Sequence, residues 1–103
     1  MATTLTWNGH RIVAGIKDGL APRVREAARI LADDVRAEAP VRSGALRASV
    51  RDVPGDGPLS AVVVTAPHAR VVEFGRRRRR PNPFFRRGLA RARAKMRGAL
   101  RGG

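Results

Sequence analysis

The chain has no cysteine and no tyrosine, and its aromatic side chains are limited to Trp7, Phe74, Phe84 and Phe85. Without cysteine there are no disulfides, zinc–thiolate sites or thiol nucleophiles. The same absence fits a reducing compartment. With so few rings, the core has to be built from Val, Leu, Ile and Ala, which favours helices packed on a small sheet. No apolar run approaches the roughly 20 residues needed to cross a bilayer. The start, "MATTLTWNGHRIV", lacks the basic-then-apolar order of a signal peptide. No membrane partner is expected. Acidic residues are missing too, but only from one region: no Asp or Glu follows Glu73.

That last absence shapes the charge. Residues 1–75 carry ten basic and eight acidic side chains, a net of +2, whereas residues 76–103 carry twelve basic and none acidic, a net of +12. The formal total of +14 thus sits almost wholly in the last quarter of the chain. Twenty of the 22 basic residues are arginine, a bias that a GC-rich genome would produce, but such a bias would not remove the acids. Asymmetry of this kind points to an anionic partner: nucleic acid, a membrane surface or an acidic protein patch.

At 103 residues the chain is expected to be one domain, 1–103, with a thin core. "TTLTW" reads as a short strand. From about His10 to Ala39 the pattern reads as a long helix. Leu20, Val24, Ala27, Ala28, Leu31, Ala32 and Val35 line one face of it, and Pro22 kinks or briefly breaks it. Pro40 ends it by forcing Ala39 out of helical backbone angles. Three strands then follow as a meander: Leu46 to Val53, residues 59–66, and "ARVVEF" at 69–74. A basic loop at 76–82 leads to an amphipathic helix over 83–101, with Asn82 as cap, Pro83 in its first turn, and Phe85, Leu89, Ala92, Met96 and Ala99 on one face. The expected fold is α+β: a long N-terminal helix on a small antiparallel sheet, with a C-terminal amphipathic helix.

Catalytic readings fare poorly. His10 and His68 are the only histidines and lie in different elements. No metalloprotease, nucleophile-elbow or phosphate-loop motif is present. Asp34 and Glu38 share a helix face at i,i+4, which allows a paired-carboxylate or metal reading, but a solvated face near arginines is the better one. Glu73 could act as an acid, yet a local ion pair with an arginine fits it better. Ser43, Ser49 and Ser60 have no base nearby in sequence. No catalytic residue, metal or cofactor is expected. The run Arg76, Arg77, Arg78, Arg79 and Arg80, with Arg86 and Arg87 behind it, is a candidate contact for a partner or for DNA. Arginine pairs bidentately with phosphate. No aromatic interleaves the run as a stacking platform, so on charge alone a phosphate contact and a solvated loop weigh equally. Phe84 and Phe85 cannot share one helix face, and Phe84 is the candidate exposed anchor for a neighbouring subunit.

Three segments in order carry a resemblance: "APVRSGALRASV" after the long helix, "HARVVEFG", and "PNPFFRRGL" after the basic loop. Over about residues 8–100 the chain resembles the tail-component family of tailed phages typified by the gene-ten product of a lambdoid siphophage. The family's motifs map onto Pro40, Val41, Ser43, Gly44, Leu46 and Ser49; onto His68, Val72, Glu73, Phe74 and Gly75; and onto Pro83, Phe84 and Leu89. Ser43 stands where threonine is usual, and the loop after Gly75 is all arginine rather than mixed polar. The resemblance implies a structural virion protein for tail completion or head–tail joining, made in the host cytoplasm. It implies a homo-oligomeric, commonly hexameric, ring at the head–tail junction or upper tail. That ring would contact connector, tail-terminator or tail-tube proteins and let the genome pass, with no catalysis or cofactor. Gly44 and Gly75 are expected to turn the chain at positive φ, and Leu46 and Phe74 to pack on the long helix. A sequence-nonspecific nucleic-acid-binding protein is the alternative reading.

Overall fold

Ile12, Ala14 and Ile16 recur at every second residue and are all buried, the period of a strand with one covered face. In the computed structural model they lie on β2 (Arg11–Lys17), which forms an antiparallel hairpin with β1 (Ala2–Asn8). The structure describes residues 2–8, 11–17, 20–40, 44–55, 60–66, 68–77 and 80–101. After the hairpin come α1 (Ala21–Glu38), the single turn α2 (Ala45–Ala48), β3 (Val50–Pro54) and β4 (Ser60–Val64). Then follow α3 (Ala69–Phe74) and α4 (Phe84–Arg101). The α+β class expected from the sequence holds: one long helix stands on a small antiparallel sheet and a second packs against the first.

The sheet has four strands in the order β1-β2-β4-β3. β4 therefore lies between the two N-terminal strands and β3, pairing Ile12 with Val64 on one side and Val50 with Val64 on the other. Ser60, Val62 and Val64 face the same way as Ile12, Ala14 and Ile16 and are buried with them. α1 covers this face, contacting β2, β3 and β4, while α4 rests on α1 and α3. The core is thus the inner sheet face, the Ala-rich stripe of α1, and the buried side of α4 formed by Phe84, Phe85, Ala92 and Met96.

Three element assignments are corrected. The long helix starts at Ala21, not near His10. Pro22 sits in its first turn, where a missing N–H costs nothing, so of the two roles the sequence allows it, kinking one long helix or opening a helix after Gly19, the second holds and the favoured kink does not. The segment "ARVVEF" is the helix α3, not a third meander strand. Ala69, Val72 and Glu73 are buried, at spacings of three and four, which places them on one helical face. In six residues the β-branched pair Val71-Val72 suits a strand equally well, and packing decides. The predicted strand from Leu46 is also shortened: Leu46 is buried on α2, and β3 begins at Val50.

Pro40 ends α1 as its chemistry requires. Ala39 is extended at φ −69°, ψ 138°, the backbone that a following proline imposes. Gly44 then enters α2 at φ 73°, and the Ser49 hydroxyl donates to the Leu46 carbonyl oxygen at 2.8 Å to close it. From α2, Arg47 reaches back with its Nε to the Arg36 carbonyl at 3.1 Å, which also accepts the Ala39 N–H at 3.2 Å at the end of α1. The motif Pro40–Ser49 is thus a joint that turns α1 into the sheet.

Gly75 closes α3 at φ 79°, ψ 179°, a region open essentially to glycine alone. Its N–H donates to the Val71 carbonyl at 2.7 Å. Gly75→Ala should therefore lose about 1–3 kcal/mol of stability in urea denaturation. A loss below about 0.3 kcal/mol would show that the backbone relaxes at this corner.

Candidate interaction surface

The segment from Glu73 to Arg87 was the strongest candidate in the sequence, and the structure divides it into an inner part and an outer part. Glu73 is 0% exposed at the end of α3. Its carboxylate points at the start of α4: Oε1 accepts the Phe85 N–H at 2.8 Å, and Oε2 accepts the Arg86 Nε–H at 2.7 Å and the Arg86 N–H at 3.4 Å. Arg86 also donates to the Glu73 carbonyl oxygen at 3.1 Å. A carboxylate here satisfies first-turn N–H groups that have no partner within the helix and complements the positive end of its dipole. Glu73 is the cap of α4, supplied from another helix, and the ion pair with an arginine expected for it is with Arg86.

Around that cap the chain is tied down. Asn82 N–H donates to the Val72 carbonyl at 2.7 Å. The Asn82 side-chain oxygen accepts from Arg87, so Asn82 anchors the loop rather than capping α4 through its own side chain. Phe84 and Phe85 are both buried, with ring centroids 6.5 Å apart at 71°, an edge-to-face pair. The expectation of Phe84 as an exposed anchor is corrected, because both rings are buried in the core while the arginines of the same turn take the solvent side. Phe74, expected in the core, is instead 45% exposed, and the Arg86 guanidinium lies 5.1 Å from its ring centroid, within cation–π range.

Arg86 and Arg87 are therefore engaged inside the molecule, Arg86 by Glu73 and Arg87 by Asn82 and by Glu38 at 3.6 Å. Arg76, Arg77 and Arg80 are exposed. Arg78 and Arg79 lie outside the described residues, as do Val41 and Ser43 of the joint motif.

The two carboxylates singled out on α1 face α4. Asp34 is buried, with Lys95 Nζ at 2.6 Å from one oxygen and Arg91 Nε at 3.5 Å from the other. With Glu38 on Arg87, this gives a ladder in which α1 descends as α4 ascends, so the helices run antiparallel. On the solvent side of α1, Arg29 binds Glu26 and Asp33, and Arg36 binds Asp33. The hydrogen bonds from Arg29 hold the Glu26 carboxyl below its ordinary value. Asp52 lies 4.0 Å from Arg36. Every described acid is thus in an ion pair, and no cluster among the described residues could hold a metal ion. The Ser49 hydroxyl is committed to the Leu46 carbonyl, and the buried Ser60 hydroxyl has no partner among the described residues.

Sequence reasoning missed Gly88. A Cβ there would stand 2.7 Å from Val35 Cα and 2.9 Å from Val35 N, so this glycine sets how closely α1 and α4 approach. The signal was present as the small residue preceding Leu89. The remaining cations of α4 form the outer stripe Arg93, Arg97 and Arg101, all exposed and none paired with a described acid.

The fold joint, the capped helix start and the glycine at the helix contact are structural devices, and the match to known families is of that kind. Residues 10–75, well over half of the chain, match the family described as "Bacteriophage HK97-gp10, putative tail-component", and the chain belongs to this phage tail-component family. The match ends at Gly75, before the arginine run and α4. No curated protein and no solved structure matches the chain. Among the described residues no helix is long and apolar enough to cross a membrane.

Proposed function

We infer that the protein is a structural subunit of the virion that completes the tail or joins it to the head. It acts by closing into a ring of identical copies, with six-fold symmetry as the expected order. Family membership supports the tail role. The observation that carries the ring is the open sheet: among the described strands β3 pairs with β4 and β1 with β2 and with no other strand, so two different edges stand at opposite ends. Unpaired edges seek strands, and two unlike surfaces that join head to tail generate a closed ring when the rotation between copies closes. On β3, residues 51–54 are all exposed and Val53 is 46% exposed, a side chain suited to burial in such a contact. The neighbouring rings would be connector, tail-terminator or tail-tube proteins, and the genome would pass through the channel. The role is one of assembly, with the polar residues serving structure rather than chemistry.

Sedimentation analysis across a concentration series tests this reading. Assembly into a discrete ring, alone or on a tail-tube or connector protein, is expected. Val53→Lys should weaken it by at least tenfold in concentration, because a charge on an edge strand opposes pairing. A protein that stays monomeric at high concentration and joins no tail or connector protein would overturn the reading.

A further inference from the structure

We propose that the outer face of α4 is a sequence-independent binding surface for the phosphate backbone of duplex DNA, centred on Arg93, Arg97 and Arg101. The proposal deepens the tail reading by giving the passing genome a surface, and it rests on that reading only for which duplex is met.

The geometry follows from how α4 divides its cations. Arg87, Arg91 and Lys95 recur every fourth residue on the flank turned to α1 and answer Glu38 and Asp34. Arg86 answers Glu73. Arg93, Arg97 and Arg101 also recur every fourth residue, but on the exposed flank, where no described acid meets them. The described acids are all taken elsewhere, so none of them offsets the charge of this stripe. Four residues of helix rise about 6 Å, so the stripe spans about 12 Å. One DNA strand presents three to four phosphates over that length, at about 3.4 Å of axial rise each, enough for each arginine to take its own. Exposed Arg76, Arg77 and Arg80 lie in the loop that leads into the same helix and extend the positive field.

The occupant is argued from what the stripe lacks. The exposed Ala90 and Ala94 flank the arginines, with the half-buried Leu100 at the edge of the row. The exposed large hydrophobics, Leu20, Val53 and Phe74, all lie off α4. A protein interface concentrates apolar and aromatic side chains at its centre, and along Arg93 to Arg101 no described large apolar side chain is exposed, Phe74 lying against Arg86 at the other end of α4. A row of guanidiniums with small spacers fits a uniformly anionic rod, bound through bidentate phosphate contacts that carry no sequence information.

Fluorescence anisotropy with a labelled duplex of about 24 base pairs over a salt series tests the proposal. Binding should be steeply salt-dependent and alike for unrelated sequences. The triple variant Arg93→Ser, Arg97→Ser, Arg101→Ser should flatten the slope of log K against log salt by about 2.7, roughly 0.9 per lost phosphate contact. A charge-matched control, Lys17→Glu with Arg25→Ser, lowers the net charge by the same three units at exposed positions elsewhere and should leave most of the affinity. Circular dichroism melting of both variants confirms that they fold. No binding of the wild type at low salt, or equal losses in the two variants, overturns the proposal. So does polyglutamate competing better than duplex at equal charge, which would make an acidic protein the occupant. Sedimentation of the same samples reports ring formation separately, so either reading can fail alone.

Discussion

Glu73→Ala should cost about 2–4 kcal/mol of folding stability, among the largest effects of any single polar substitution in this chain. The carboxylate is 0% exposed and accepts hydrogen bonds from the backbone of Phe85 and from Arg86. Removing it leaves the Phe85 N–H buried beside Phe84 with no acceptor, a penalty of about 1–3 kcal/mol. It also removes a negative charge from the positive end of α4, typically about 0.3–1 kcal/mol. The salt bridge itself adds less than a fully buried pair would, because the Arg86 side chain is 50% exposed and can be hydrated once released. Glu73→Gln keeps the shape and one acceptor oxygen, so it should cost less, about 1–2 kcal/mol. Arg86→Ala should cost least, since the backbone bond from Phe85 survives it. Thermal denaturation orders the three, with the alanine variant of Glu73 melting roughly 10–25 °C lower. If Arg86→Ala were as damaging as Glu73→Ala, the surface ion pair and not the buried cap would be the main contribution.

Much of the fold was legible because its causes are local. The clash between Ala39 and Pro40 ends α1 whatever surrounds it, and Gly44 and Gly75 take positive φ because the turns admit little else. The apolar stripes of α1 from Val24 and of α4 from Phe85 persist for several turns, long enough to identify a period. β2 and α3 were misread because each is short and apolar, and the deciding contacts are remote. Ile12 pairs with Val64, some fifty residues on, and the helix α3 is favoured by what Glu73 reaches in α4. The site was harder still. Asp34 and Glu38 looked like a pair on one helix, and nothing nearby in sequence says that Lys95, Arg91 and Arg87 stand opposite. The excess charge of the last quarter is therefore divided by tertiary structure: one flank neutralises α1, and the other remains free. Arg86 and Arg87 were assigned to a partner on charge, while Arg93, Arg97 and Arg101, less conspicuous in sequence, are the cations of α4 that no described acid matches.

Gly88→Val should lose roughly 4 kcal/mol or more and leave much of the protein unfolded at physiological temperature. In an isolated helix the smaller change Gly88→Ala would be favourable, by about 1 kcal/mol on propensity. Here the sign reverses. An added Cβ would lie 2.7 Å from Val35 Cα, 2.8 Å from Val35 Cγ2 and 2.9 Å from Val35 N. Two of those three atoms are backbone and cannot rotate away, so α1 and α4 have to separate. Separation strains the Asp34 contacts with Lys95 and Arg91 and loosens the buried seam around Ala92 and Met96. Overpacking of this kind costs typically about 1–3 kcal/mol, so Gly88→Ala should still be destabilising by about 1–2 kcal/mol net of its propensity gain. Valine adds two further carbons at the same contact. Combining Gly88→Ala with Val35→Ala removes Cγ2 but not Cα or N, so the pair should couple by about 0.5–1.5 kcal/mol without full rescue. Urea denaturation of the four proteins of this cycle measures that coupling. A more stable Gly88→Ala protein would mean that helix propensity outweighs the contact and that the two helices stand further apart than Gly88 allows.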